Sequence, residues 1–164
     1  MISMSIAKSK DADELSKLYY QCWCETYPAI LGENSLKKVS VEQFAEQFRK
    51  TRCRDIILGR LDNHLVGFCS YGPCREEGSL KDTGEVYGVY VLNAYKKQGE
   101  GRRLLHEAIR QLRRDEYNTV EVWILEDNSE AVAFYEALGF ISTDKTRRYA
   151  PRSSFTERCY FRNI

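Results

Sequence analysis

Apolar and polar positions follow two rhythms along this chain, one with the two-residue period of a strand and one with the three-to-four-residue period of a helix. Residues 3–8 alternate weakly and predict a short first strand. Asp11 or Asp13 then supplies a capping carboxylate for a helix that carries Leu15, Leu18 and Tyr19 on one face, with Pro28 and Gly32 expected to end it. Ser40 caps a second helix, in which Val41, Phe44, Ala45 and Phe48 recur at helical spacing to about residue 50. Two β-rich runs, residues 55–61 and 65–71, flank Asp62-Asn63-His64, a turn composition that predicts an antiparallel hairpin.

Residues 75–82 are polar and contain Gly78, the composition of a loop, and residues 85–92 follow as a long third strand rich in Val and Tyr. Gly88 lies in the middle of that strand, where a glycine marks a bulge or a close approach. Residues 101–114 form a helix with Leu104, Leu105, Ala108, Ile109 and Leu112 on its buried face, and residues 119–125 form the next strand. Asn128 caps a further helix through Leu138, with Ala131, Val132, Phe134 and Tyr135 on its apolar set and Gly139 as its stop. Residues 140–143 and 155–161 are the final strands, separated by the polar stretch 144–154. The order β-α-α-β-β-β-α-β-α-β-β predicts an α/β (α+β) fold, a mixed sheet of about seven strands with about four helices on its faces. No repeat, low-complexity tract or Pro/Gly/Ser-rich linker interrupts it, so residues 1–164 are expected to fold as one domain.

Composition narrows the class of partner. With 43% hydrophobic and 30% charged residues the chain has a core to bury and a solvated surface. Twenty-five Lys and Arg against 24 Asp and Glu leave a formal charge of +1, which provides no global field for nucleic acid or an anionic membrane. The N-terminus lacks the apolar core of a signal peptide and no stretch reaches membrane-span length, so a cytoplasmic location is the expectation. In that reducing compartment the 6 cysteines are read as free thiols. Cys22-Trp23-Cys24 is CxC, and no cysteine has paired-ligand spacing with His64 or His106, so no metal site is expected.

Any phosphate binding must therefore be local, and one segment has the chemistry for it. The strand Glu85-Val86-Tyr87-Gly88-Val89-Tyr90-Val91 leads, after a short turn, into Lys96-Lys97-Gln98-Gly99-Glu100-Gly101, which opens a helix. The first amides of a helix lack intrahelical partners and sit at the positive end of its dipole, so they stabilise a phosphate. Lys96, Lys97, Arg102 and Arg103 add positive charge there. A Walker loop would follow the second glycine with Lys-Ser or Lys-Thr, and here Arg102-Arg103 follows. A dinucleotide fingerprint needs a third glycine, and Leu104 stands in its place. Alone, the glycine spacing is a weak signal, with an ordinary loop glycine pair before a core helix as its bland counterpart.

A second segment adds specificity: Val122-Trp123-Ile124-Leu125-Glu126-Asp127-Asn128, then Ala131, Phe134-Tyr135 and Leu138-Gly139-Phe140. Together, in this order, the two segments resemble the GNAT (GCN5-related N-acetyltransferase) family, in which a strand enters an Arg/Gln-x-x-Gly-x-Gly/Ala turn and an asparagine, a helical tyrosine and Gly-Phe come later. Lys96 stands where the family keeps Arg or Gln. The resemblance is strong over residues 85–140 and extends in element order over nearly the whole chain. It implies a mostly antiparallel central sheet and acetyl-coenzyme A as cofactor. Pantetheine would run along Val89, Tyr90 and Val91 like an added strand, and the pyrophosphate would sit on the amides of Lys97, Gln98, Gly99, Glu100, Gly101 and Arg102. Asn128 matches a cofactor-contacting asparagine and is equally a helix cap.

The resemblance also distributes the chemistry. Tyr135 matches the helical tyrosine that protonates the departing thiolate, a match for a phenol of pKa about 10, although it could serve as a core aromatic. Glu85 matches a strand carboxylate that takes the amine's proton through water, with a solvated strand-end glutamate as its bland counterpart. Glu126 is a second acidic candidate, and the amide of Val89 or Val91 is the oxyanion donor. Trp23-Cys24-Glu25-Thr26-Tyr27-Pro28 resembles an acceptor-lining W-x-x-T-Y segment, so Trp23, Tyr27 and Glu25 are pocket candidates that could also pack inward. His64 and His106 need no catalytic role. The implied activity is acetyl transfer by direct attack of a primary amine, on a small molecule or an exposed protein amine. The alternative is a noncatalytic coenzyme A-binding sensor on the same fold. Dimers are common in the family, so a homodimer is one expectation.

Overall fold

The structure, a computed structural model, describes all residues Met1–Ile164. Its seven strands are β1 (Ser3–Ile6), β2 (Ile56–Leu61), β3 (His64–Pro73), β4 (Thr83–Val91), β5 (Thr119–Leu125), β6 (Ile141–Arg148) and β7 (Thr156–Asn163). Its four α-helices are α1 (Ala12–Leu31), α2 (Val41–Thr51), α3 (Glu100–Arg114) and α4 (Ser129–Ala137), with short 3₁₀ turns at Ser9–Asp11, Glu33–Lys38 and Asn93–Tyr95. The strands form one sheet in the order β1-β2-β3-β4-β5-β7-β6. The registered pairs are antiparallel except β4 with β5, which α3 connects and which are parallel, because a crossover helix returns the chain in the same direction. No helix is long and apolar enough to cross a membrane.

Local chemistry accounts for most of the boundaries. The Ser40 hydroxyl accepts from Gln43 N at 3.2 Å and opens α2, and the Asn128 side chain accepts from Ala131 N at 3.2 Å and opens α4. Asp62 and Asn63 both have positive φ, 48° and 67°, so the β2–β3 turn is two residues long and His64 belongs to the strand. Three expectations need correction. Pro28 does not end α1. It sits inside the helix, which runs on to Leu31 and stops at Gly32, whose φ is +89° and whose amide donates to Pro28 O. Asp11 bends back to accept from Lys8 N at 2.7 Å rather than capping α1 with its side chain. Finally, β6 extends to Arg148 through residues read as a polar loop. Its positions are largely exposed, and an edge strand held by β7 needs no apolar face.

By compactness the chain divides into two units, Met1–Ser70 with Gly88–Ala108 and Tyr71–Tyr87 with Ile109–Ile164. In the first, Leu15, Leu18 and Cys22 of α1 pack with Ile56, Leu58, Leu65 and Phe68, and Tyr19, Phe48 and Tyr90 close over them. Gly59 and Gly67 leave room on β2 and β3 for Leu104, whose methyl carbons lie 3.3 and 3.2 Å from where their Cβ atoms would stand. In the second, Val120, Val122 and Ile124 are buried along β5 while Glu121 and Trp123 alternate with them on a half-buried face.

Candidate active site

In the first unit the glycine turn leaves an array of free donors. Lys96 N donates to Asn93 O and Arg103 N donates to Gly99 O, and no amide of residues 97–102 has a backbone acceptor. The turn is built by two left-handed residues, Lys97 with φ 60° and Gly99 with φ 88°. A Cβ at Gly99 would meet nothing within 4 Å, so open space adjoins the backbone there. Lys97, Gln98, Gly99 and Arg102 are exposed, and the Gln98 side chain folds onto Ala94 O at 3.3 Å. The residues present thus fit a phosphate group. Arg103 does not join the positive cluster expected around the turn. Its Nη2 donates to Ile2 O at 3.1 Å and its Nη1 lies 3.6 Å from the Glu100 carboxylate, which is turned into the protein.

The strand leading to the turn is lined by aromatic rings. Tyr90 stacks on Phe68 at 5.1 Å and meets Tyr19 at 4.7 Å, with the two tyrosine hydroxyls 3.4 Å apart. Burial first, and then the hydroxyls of Tyr19 and Tyr27, hold the Tyr90 phenol well above its ordinary range. Tyr90 is half-buried, with its ring packed against the core. Its ring also explains Gly88, where a Cβ would lie 2.5 Å from a Tyr90 ring carbon. Val89 is half-buried and Val91 is buried. On α1, the Trp23 and Tyr27 rings meet at 4.3 Å, tilted by 49°, and remain half-buried, and the Trp23 indole nitrogen is buried without a hydrogen-bond partner. Glu25 is committed elsewhere: it accepts from Asn93 N at 2.8 Å and ties α1 to the segment before the turn. Burial, and secondly the Glu25 charge, push the neighbouring Cys22 thiol up to about 12.

In the second unit Glu85 is not a solvated strand-end glutamate. Its side chain is 1% exposed, Oε1 accepts from Arg75 Nη2 at 2.7 Å and Oε2 accepts from Arg75 N at 3.0 Å. The Arg75 guanidinium also lies 4.1 Å over the Tyr87 ring. Partial burial opposes the charge on Arg75, but the bond and charge of Glu85 outweigh it and raise its pKa. Sequence reading missed Arg75, because the two residues are ten positions apart and meet only when the loop folds back; no local signal marks the pair. Tyr135 is buried on α4 between Phe134 and Phe140, at ring separations of 5.0 and 5.3 Å. Asn128 is half-buried at the head of that helix, and Glu126 is exposed and accepts from Arg158 at 2.8 Å. The same unit has an open cleft of about 480 Å³ bordered by Glu76, Trp123 and Lys145, and none of the candidate residues lines it. His64 bonds to its own turn through Asp62 O, and His106 is exposed. No group of three or more His, Cys, Asp or Glu could hold a metal ion, and all six cysteines are free.

Comparison with known proteins shows the family and the fold. The family model described as acetyltransferase (GNAT) family matches residues 13–140. The uncharacterized N-acetyltransferase YuaI of Bacillus subtilis (strain 168) is 28% identical over 138 residues, covering 84% of this chain and 79% of that protein. An N-alpha-acetyltransferase of Sulfurisphaera tokodaii is 24% identical over 151 residues, 87% of this chain and 82% of its own. Among solved structures, the PaiA N-acetyltransferase of Thermoplasma acidophilum in complex with coenzyme A superposes with a TM-score of 0.82 at 17% identity, covering 100% of this chain and 99% of that one, which shows a shared fold.

Proposed function

Because this chain belongs to the GNAT family of acetyltransferases, we propose that it transfers an acetyl group from acetyl-coenzyme A to a primary amine, on a small molecule or an exposed protein amine. The observation that carries the cofactor half of this reading is the run of amides at residues 97–102 without backbone acceptors, opening into free space at the start of α3. Those amides would hold the pyrophosphate, with Lys96, Lys97 and Arg102 supplying charge. Main-chain groups of Val89, Tyr90 and Val91 would pair with pantetheine; the registered pairing of β4 with β5 covers only Thr83 to Val86, and β4 runs five residues beyond it. A noncatalytic coenzyme A-binding module is the competing reading.

When bound, acetyl-coenzyme A supplies an acetyl group activated as a thioester. The chain's own groups do the rest. Each Glu85 oxygen accepts one bond from Arg75 and retains a lone pair, so the carboxylate can take the amine's proton through water. The Val89 or Val91 amide would donate to the carbonyl oxygen on which charge develops. The Tyr135 hydroxyl would deliver a proton to the departing sulfur, and the Asn128 side chain would contact the cofactor from the helix start it also caps. Trp23 and Tyr27, in ring contact and half-buried, would line the acceptor side, and Glu126 would face a cationic acceptor in competition with Arg158.

Thiol release from acetyl-coenzyme A across a panel of amines tests this: peptides with free N-termini, lysine peptides, polyamines and amino sugars. Turnover with at least one class is expected. Calorimetric binding of coenzyme A without turnover on any amine would favour the noncatalytic module. Absence of coenzyme A binding would sink both readings.

A further inference from the structure

We propose that Arg103 is a positioning residue for the phosphate-binding turn, holding the Glu100 carboxylate inside the fold so that it does not occupy the amides meant for the ligand. The inference rests on the reading of residues 97–102 as a coenzyme A pyrophosphate site. Glu100 lies between Gly99 and Gly101 and is the first residue of α3, so its carboxylate is carried by the turn itself. A carboxylate in the first turn of a helix is ordinarily drawn to the free amides there, by the same dipole and hydrogen bonds that attract phosphate. Here it does not take that place. Its side chain is 11% exposed and directed to Arg103, one helical turn along.

The arrangement is electrostatic. Glu100 Oε2 and Arg103 Nη1 are buried, have no hydrogen-bond partner and stand 3.6 Å apart, within ion-pair range but too long for a hydrogen bond. Arg103 is itself fixed by Nη2 donating at 3.1 Å to the carbonyl of Ile2, a residue 3% exposed. A buried carboxylate stripped of its cation is strongly unfavourable. Without Arg103 the Glu100 side chain therefore leaves its site, and the amides of the same turn, which lack backbone acceptors, compensate its negative charge. A ligand pyrophosphate would then have to displace it.

Coenzyme A binding to purified R103M, E100Q/R103M and wild type, by calorimetry at fixed ionic strength, tests this without knowledge of the acceptor. The expectation is that R103M weakens binding by about tenfold or more, the size of losing one or two charge-assisted bonds, and that E100Q/R103M regains most of the loss. A purely structural role for Arg103 would not be rescued this way, since the double variant lacks the tether to Ile2 just as the single one does. Wild-type affinity in R103M, or a double variant as weak as the single one, would overturn the proposal. If R103M does not fold, E100Q/R103M decides alone: affinity within about threefold of wild type supports the role, and a loss beyond about tenfold overturns it. Failure of the wild type to bind coenzyme A would instead remove the underlying assignment of the turn.

Discussion

Replacing Gly99 by valine probes the turn proposed to hold the pyrophosphate, at a left-handed backbone position. Gly99 has φ +88°, a conformation that costs an L-residue roughly 1–2 kcal/mol and a β-branched one at the upper end. Apart from Gly99 and its two chain neighbours, no protein atom lies within 4 Å of the position a Cβ would take, so an added Cβ meets open space. The added atoms enter the open space next to the turn, and any relaxation of φ rotates the adjoining peptide planes. If two charge-assisted amide–phosphate bonds are lost at about 1.5 kcal/mol each, binding falls by about 3 kcal/mol, on the order of 100-fold in Kd. Calorimetry with coenzyme A reads that loss, and a urea melt of the free protein should show only the backbone cost of about 1–2 kcal/mol. A folded G99V with wild-type affinity would refute the assignment of this turn.

Three further outcomes are expected. Tyr135→Phe should lower turnover by about 100-fold or more while leaving coenzyme A affinity nearly unchanged, and wild-type turnover would remove Tyr135 as the proton donor. Arg75→Met leaves Glu85 buried without its cation; because Arg75 is half-exposed, the loss should fall near about 2–3 kcal/mol in urea unfolding, below the full range for a buried pair, with Arg75→Lys retaining part of it. Burial raises the thiols of Cys22 to about 12 and Cys159 to about 11, from an ordinary 9.0. The folded state therefore keeps protons that the unfolded chain releases, so this contribution to stability is complete below pH 9 and is lost as pH rises toward 11–12. A urea midpoint that does not fall between pH 8.5 and pH 10.5, about the interval spanning the ordinary thiol value, would contradict that sign.

Much of the fold was readable because it is written in neighbouring residues. Ser40 and Asn128 cap helices that start directly after them, Asp62-Asn63 turns a hairpin, and the strand, glycine turn and helix around residues 85–114 form one local unit. The reading failed at element boundaries, and for β6 a distant strand overrode the local signal. Pro28 lies within α1, which continues past it to Leu31, and β6 runs through polar residues because β7 pairs with its backbone.

The amino-acid sequence by itself determined the element order, the two spaced motifs and the presence of a glycine turn opening a helix, since each depends on spacing, capping and backbone freedom within a few residues. Only the tertiary structure decided what the charges do. Along the chain Glu85 reads as a candidate base or a solvated strand-end glutamate and Glu100 as one residue of the glycine turn; in the fold one is buried against Arg75 and the other is drawn inward by Arg103. A charge interacts through space, and its effect depends on which cation and how much water folding brings beside it.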